Sequence, residues 1–319
     1  MHTLTMPFDD MAIAEGVRLL AAGYCVAVPT ETVYGLAADA TDPAAVTGIF
    51  VAKGRPTFNP LIVHVADIEQ AEDIAIFDKE ARQLADRFWP GPLTLVLPVR
   101  PGAVAPMVTA RLDTVAIRVP AHRAMASLLN AYGKPLAAPS ANASNRISPT
   151  RAEHVLATLG GRIRLVIDDG PTSSGLESTI VRGRTVLRPG PVTEAELAAC
   201  LDDGMLRSVA ARTPPKARIG VDESCVTAPG QLPVHYAPAK SLRLDAAKAA
   251  RDEWLIGFGP VVGDDTLSEA GDVVEAGSSL FDALYRADAS DRARIAVAPI
   301  PEEGVGAAIN DRLRRAAQR

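Results

Sequence analysis

Residues 42–65 read DPAAVTGIFVAKGRPTFNPLIVHV. Pro43 sits where a helix can begin, because its missing N–H costs nothing at the first helical position. The segment 42–52 therefore reads as a helix, and Lys53-Gly54-Arg55 ends it. Pro56 and Pro60 stiffen the loop that follows. Residues 61–65 form a short apolar run, the pattern of a buried strand. Helix, stiff loop and buried strand in immediate succession mark an α/β chain.

The same reading extends in both directions. Residues 8–22 carry apolar positions at helical spacing, with Gly23 as the stop, and 24–28 read as a buried strand. Helices are expected over 78–88, 122–132 and 150–159. Strands are expected over 93–99, 115–119, 136–139, 165–167, 178–181 and 185–187. Strands and helices do not alternate regularly, which predicts a twisted mixed sheet with helices rather than a doubly wound one. Composition shifts after Cys200. Residues 207–238 hold Pro214, Pro215, Pro229, Pro233 and Pro238 with few periodic apolar positions, and read as a partly extended linker. Strands at 254–258 and 295–297, a short one at Val273-Val274, and helices at 279–287 and 305–317 predict a small, Rossmann-like parallel α/β domain. The expected organisation is a catalytic domain over 6–200, an interdomain linker over 201–239 and a C-terminal domain over 240–319.

The 319 residues suffice for two domains, and a hydrophobic fraction of 48% supplies their cores. A net charge of −5 argues against a protein that coats nucleic acid, while leaving room for a local basic pocket. No run is long and apolar enough for a membrane span, and residues 1–10 lack the pattern of a signal peptide. Cys25, Cys200 and Cys225 fit neither zinc spacing nor a disulfide framework, as in a reducing cytoplasm.

Four clusters carry chemistry, all before residue 200. Pro29-Thr30-Glu31-Thr32-Val33-Tyr34-Gly35 gathers hydroxyls and a carboxylate at a strand end, either a pocket lining or an ordinary polar turn. Lys53-Gly54-Arg55-Pro56 through Asn59-Pro60 to His64 places two cations about a glycine. They can complement a helix C-terminus, or serve as a point charge and a fork for phosphate or carboxylate. His64 lies in an apolar strand, where a satisfied core histidine is the commoner role. Pro139-Ser140-Ala141-Asn142-Ala143-Ser144-Asn145 leads through Ser148 into a helix, an arrangement that suits an anion; Ser148 also serves as a plain helix cap. Asp168-Asp169-Gly170 reads as a turn, and Glu177-Ser178-Thr179-Ile180 is followed by Arg188-Pro189-Gly190, with Arg188 a further anion ligand. There is no Walker A sequence, no dinucleotide fingerprint and no zinc-hydrolase motif.

In series, these pieces resemble the two-domain threonylcarbamoyl-AMP synthases, which carry a YrdC-like catalytic domain. Trp89-Pro90-Gly91-Pro92-Leu93-Thr94, Ile117-Arg118-Val119-Pro120 and His235-Tyr236-Ala237-Pro238 complete the order. The resemblance implies condensation of L-threonine, bicarbonate and ATP to threonylcarbamoyl-AMP and pyrophosphate, with the product feeding the tRNA threonylcarbamoyl-transferase machinery. It implies that Thr32, His64, Arg118, Ala138 and Ser178 contact threonine. Arg55, Asn59, Thr114, Ser140, Asn142, Ser148, Arg188 and Tyr236 would contact ATP, with Lys53 and Arg55 as the catalytic cations. Mg2+ is expected with the triphosphate, held by phosphate oxygens and water, and no dedicated metal ligands are expected in the protein. The segment Ala228-Pro229-Gly230-Gln231-Leu232-Pro233-Val234 departs from the family's usual Ser-Pro-Gly-Met-Lys form, so Tyr236 reads as an ATP contact, with linker packing the alternative for His235-Tyr236.

Two other readings compete. Lys53, Arg55, Arg118, Arg146 and Arg188 could line a groove for double-stranded RNA or tRNA without ATP chemistry, though the acidic total and scarce aromatics disfavour high affinity. A carbamoyl-transferring enzyme with another acceptor would be expected to carry acylphosphatase-like and zinc segments, which this chain lacks.

Overall fold

The computed structural model describes residues 2–201, 206–208 and 235–318. Most of the proline-rich segment, with Cys225 and residues 228–234, lies outside the described residues.

The first part of the chain runs β1 (Leu4–Pro7), α1 (Asp10–Ala21), β2 (Val26–Pro29), β3 (Tyr34–Asp39), α2 (Pro43–Lys53), β4 (Ile62–His64), α3 (Ile68–Ile74), α4 (Lys79–Phe88) and β5 (Leu93–Pro98). It continues with β6 (Thr114–Arg118), α5 (Arg123–Tyr132), β7 (Leu136–Ala137), α6 (Ala152–Leu159), β8 (Leu165–Asp168), β9 (Thr179–Arg182), β10 (Thr185–Arg188), α7 (Glu194–Cys200) and β11 (Arg207–Ser208). The strands form one 11-stranded sheet in the order β1-β8-β2-β3-β7-β4-β6-β5-β9-β10-β11. Pairings of both senses occur, parallel for β4 with β6 and antiparallel for β5 with β6, so the sheet is mixed as expected. β11 lies within the stretch read as linker and pairs parallel with β10.

Side-chain alternation decides what each face of this sheet does. In β2, Ala27 enters the core built with α2, while Val26 and Val28 enter a second core built with α1 and α5. Helices thus cover both faces at that end. In β4 and β6, Val63, Val115 and Ile117 still enter the first core. Ile62 and Ala116, on the opposite face, join only a small cluster with Val96, Ile180 and Leu187. His64 and Arg118, paired across the strands, share that face.

The second part comprises β12 (Ser241–Arg243), β13 (Glu253–Gly257), β14 (Asp265–Thr266), α8 (Val273–Ala289), β15 (Arg294–Val297) and α9 (Val305–Ala317). Its four strands, ordered β12-β15-β13-β14, are all parallel. Val273-Val274 is not a strand but the first turn of α8. The Asp272 carboxylate accepts from the N–H groups of Val274 and Glu275, and that cap outweighs the β preference of two valines.

The two parts are joined by apolar and polar contacts. Val33, Ile147, Leu176 and Tyr236 belong to the same hydrophobic cluster as Phe281 and Ala276 of α8. Asp282 pairs with Arg151, the His154 ring stacks on Tyr285 at 3.8 Å, and the Tyr285 hydroxyl donates to the Ile147 carbonyl at 2.9 Å. Gly175 lies so close to α8 that an added Cβ would stand 2.4 Å from the Ser278 carbonyl oxygen. Among the described residues, no helix is long and apolar enough to cross a membrane.

Candidate active site

Where β4 and β6 lack helical cover, a pocket of about 560 Å³, its open mouth included, is lined by residues spread along the chain from Thr30 to Tyr236. Four loops, the strands β3, β4, β6 and β10, and the segment at His235-Tyr236 build it.

The first loop leaves β2 at Pro29. The Thr30 hydroxyl accepts from the N–H of Thr32 and Val33 and donates to the Val33 carbonyl, locking the turn. The Thr32 hydroxyl lies 2.8 Å from that of Thr30 and accepts from Arg118 Nη1 at 2.9 Å. The second loop begins where α2 ends. Gly54 takes the left-handed conformation (φ 62°) that caps the helix and lets the chain turn back. The Lys53 ammonium then crosses to the third loop and donates to the carbonyls of Ser140 and Asn142, each at 2.6 Å, and to Asn142 Oδ1 at 2.9 Å. Arg55 is turned back on its own loop, donating to the Asn59 and Pro60 carbonyls at 3.2 and 2.8 Å. In the fourth loop and β10, Arg188 donates to the Ser178 carbonyl and hydroxyl, and that hydroxyl lies 2.7 Å from the Thr94 hydroxyl.

Charge is concentrated here. Lys53, Arg55, Arg118, Arg188 and Arg312 are each at most 8% exposed, and the carboxylates buried with them are Glu31, Glu177 and Asp311. Glu31 pairs with Arg118, while Glu177 and Asp311 both pair with Arg312. Lys53, Arg55 and Arg188 have no carboxylate partner among the described residues. Burial, with Arg188 nearby, pushes the Arg55 guanidinium down to about 10; burial chiefly, and then Arg312 and Arg118, lower that of Arg188. Burial and Arg55 also lower the Lys53 ammonium, against which its three short oxygen contacts hold the proton on. His64 is buried and neutral, its imidazole pushed down to about 3 by burial and by Arg118. Such a site attracts anions.

Hydrogen-bonding capacity is also left open. Eight described residues carry buried side-chain atoms without a hydrogen-bond partner; Glu31, Asn59, His64, Arg118, His235 and Tyr236 line or adjoin this pocket, and the other two are Thr172 and Trp254. Buried polar groups are seldom left unpaired without a functional reason.

Of the residues expected from sequence to contact threonine, Thr32, His64, Arg118, Ala138 and Ser178 all line the pocket. Of those expected to contact ATP, Arg55, Ser140, Arg188 and Tyr236 line it. Lys53 and Asn142 brace its wall, Asn59 meets Arg55 through its carbonyl, and Ser148 donates to Glu177. Ser148 does not cap α6, whose N-cap is Arg151 with no side-chain bond. Thr114 stands at the opposite end of β6 from Arg118, paired with Pro98 and outside the lining. Asp168 and Asp169 form a turn with Gly170: Asp168 accepts from the Gly170 N–H, and Asp169 pairs with Arg123.

Tyr236 is fully buried and adopts φ 63°, a strained conformation for an aromatic residue. Its ring stacks on Phe281, which is packing, while its hydroxyl has no hydrogen-bond partner and stays open at the pocket. Glu31, Glu177, His235 and Arg312 were not expected as site residues. The first three sit inside motifs already noted. Arg312 has no local signal, for it occupies one position of an amphipathic helix. It is wholly buried, with Nε 2.9 Å from Glu177 Oε2 and Nη1 donating to the Pro189 carbonyl at 2.8 Å.

Burial also removes the RNA-groove reading. Lys53, Arg55, Arg118 and Arg188 are at most 8% exposed, so a phosphate backbone running over the surface could not reach them together.

Comparison with known proteins places this arrangement. A family described as telomere recombination (Sua5, YciO and YrdC) matches residues 18–190, and one described as threonylcarbamoyl-AMP synthase, C-terminal domain, matches residues 192–318. The threonylcarbamoyl-AMP synthase of Bacillus subtilis is 40% identical over 338 residues, covering 97% of this chain and 94% of its own. That of Pyrococcus abyssi is 39% identical over 330 residues, covering 97% and 94%. The crystal structure of P. abyssi Sua5 complexed with L-threonine matches with a TM-score of 0.87 at 35% identity, covering 99% of this chain and 98% of that one.

Proposed function

The chain belongs to the threonylcarbamoyl-AMP synthase family, and we propose that its buried cationic pocket holds the two anionic substrates of that reaction side by side. The enzyme condenses L-threonine, bicarbonate and ATP to threonylcarbamoyl-AMP and pyrophosphate. The observation that carries the division of labour is the pairing of charges. Arg118, with Thr32 and His64 beside it, takes the amino acid; Arg55 and Arg188, without carboxylate partners among the described residues, face the triphosphate, and Lys53 stands behind them in the wall.

The chemistry needs no protein nucleophile. The threonine amine captures bicarbonate-derived carbon to give a carbamate and water. A carbamate oxygen then attacks the α-phosphorus, and pyrophosphate leaves. The protein has to overcome repulsion between a carbamate and a polyphosphate, and to stabilise charge growing on the leaving group. Fixed buried cations do both with no reorganisation at the moment of reaction. Arg55 and Arg188 supply that charge directly. Lys53 is positioned to act through the Ser140–Asn142 loop, whose carbonyls it grips. Neutral His64 offers an unpartnered ring nitrogen to the threonine side of the pocket.

Mg2+ bound to the triphosphate would shield its charge. The described residues contain no cluster of His, Cys, Asp and Glu suited to a metal ion, and Glu31 and Glu177 are already paired with arginines. Phosphate oxygens and water would hold the ion, as is usual for a cation that arrives with a nucleotide. The product would pass, in the cytoplasm, to the machinery that transfers the threonylcarbamoyl group to tRNA.

The test is pyrophosphate release from ATP and bicarbonate, with and without threonine. Release must require threonine, and Arg55→Ala must lower it by about 100-fold or more with the fold intact. Release that ignores threonine removes the synthase reading.

A further inference from the structure

The side chain of Asn142, on the loop after β7, is held at both polar atoms. Its Nδ2 donates to the carbonyls of Arg146 and Ile147 at 2.8 and 2.9 Å. Its Oδ1 accepts from the Lys53 ammonium at 2.9 Å and from the Ser140 hydroxyl at 2.7 Å. An ammonium only donates, which fixes the end of the amide that faces it. A carbonyl oxygen can accept twice, and that of Ile147 takes its second bond from the other half of the molecule. The Tyr285 hydroxyl of α8 donates to it at 2.9 Å. The Tyr285 ring is anchored separately, stacked on His154 of α6 at 3.8 Å and 9°. Hydrogen bonds therefore run unbroken from α8 through the Ile147 carbonyl and Asn142 to Ser140, which lines the pocket. Arg312 reaches the pocket by another route, through Glu177.

We propose that Tyr285 is a positioning residue for the reaction: its hydroxyl, supplied by the C-terminal part of the chain, sets the place of Ser140 on the triphosphate side of the pocket. The inference rests on the synthase reading. Its physical basis is a division of work within one side chain. The ring packs α8 onto α6, and the hydroxyl adds little to that packing. Without the hydroxyl, the Ile147 carbonyl still has Asn142 as a donor, so no buried group is orphaned. What the hydroxyl supplies is place, and polarisation that strengthens the bonds after it in the chain. The loop Ser140-Ala141-Asn142-Ala143-Ser144 is built of short side chains, so its course depends on such bonds. A ligand-binding group displaced by about 1 Å loses much of its effect. The amino-acid side has its own supports, since Arg118 is held by the Gly91 carbonyl and by Thr32. Loss of the Tyr285 hydroxyl therefore falls on one substrate and spares the other.

Steady-state pyrophosphate release by the full-length protein, with ATP and L-threonine varied in turn at saturating bicarbonate, tests this. Tyr285→Phe deletes one oxygen and keeps the ring on His154. It should raise the apparent KM for ATP about five- to tenfold, the scale of one neutral hydrogen bond, and leave that for threonine within about twofold. In Ser140→Ala protein the same substitution should add less than about twofold, because the group through which it acts is gone. Asp282→Asn removes the carboxylate that pairs with Arg151 and His154 at the same interface, and should lower the unfolding free energy without the ATP effect. An unchanged KM for ATP in Tyr285→Phe, or a fall in kcat alone from a smaller active fraction, overturns the proposal. So does an equal ATP effect in Asp282→Asn, which would make the docking of α8, not the hydroxyl, the cause. Full additivity with Ser140→Ala overturns it as well. Wild-type release that ignores threonine overturns the synthase reading and the proposal with it.

Discussion

Replacing Arg312 with methionine should damage a site in the other half of the molecule. The methionine fills much of the volume but leaves Glu177 with only Ser148 as a partner, and removes the donor from the Pro189 carbonyl. Breaking one side of a buried ion pair costs about 3–5 kcal/mol, because a charge is left uncompensated in a dry interior. Arg312 is 0% exposed and Glu177 6%, so solvent cannot soften that cost. The loss should also reach the chemistry. Glu177 immediately precedes Ser178, and Pro189 immediately follows Arg188, the two residues linked through the Ser178 carbonyl and hydroxyl. Misplacing such groups by about 1 Å can cost roughly 100-fold in rate. Urea unfolding and threonine-dependent pyrophosphate release would be measured on the same preparation. The double variant Arg312→Met/Glu177→Gln should recover about 1 kcal/mol or more relative to Arg312→Met, since it removes the stranded charge. An Arg312→Met protein that loses less than about 1 kcal/mol and turns over at the wild-type rate would refute the reasoning.

Three further outcomes are expected. The folded-state value of His64, about 3, lies below its ordinary 6.5, so an unfolded chain binds this proton first. The stabilising contribution is complete above pH 6.5 and is lost as pH falls towards 3; His64→Gln should flatten the fall in unfolding free energy by at most about 1.4 kcal/mol per pH unit, and an unchanged slope in urea titrations would count against a buried neutral imidazole. Gly175→Ala should lower the calorimetric midpoint, since φ +66° costs an alanine about 1–2 kcal/mol and its Cβ would meet the Ser278 backbone of α8; an unaltered midpoint would mean that the two parts are not in close contact there. The Cys25 thiol, pushed up to about 12 by burial, should resist a disulfide reagent at neutral pH until the protein is unfolded, as followed by peptide mapping.

The α/β class and the mixed sheet were legible because they rest on local periodicity. Residues 43–53 form α2 and 62–64 form β4, close to where Pro43, Gly54 and the apolar run place them. The second strand of the first hairpin, β3, was missed, because Tyr34-Gly35-Leu36-Ala37-Ala38 is buried on both faces and shows no alternation. Most of the pocket could be read from motif order, since strand ends and stiff loops deliver residues such as Thr32, Arg55 and Arg188 to predictable places. Thr114 could not be placed that way. A strand carries its face in its sequence, but which end reaches the pocket depends on its pairing partners.

The sequence alone thus determined the fold class, the cationic loops and the set of motifs, all properties set within a few residues of chain. The tertiary structure alone decided the pairing of charges. Glu177 and Arg312 are 135 residues apart and share no local pattern. Only packing α9 against the Glu177 and Pro189 loops makes one the partner of the other. That pairing, with Glu31 on Arg118, leaves Lys53, Arg55 and Arg188 without a carboxylate among the described residues. A buried charge must find its compensation in space, and neighbours in space are what a linear sequence does not record.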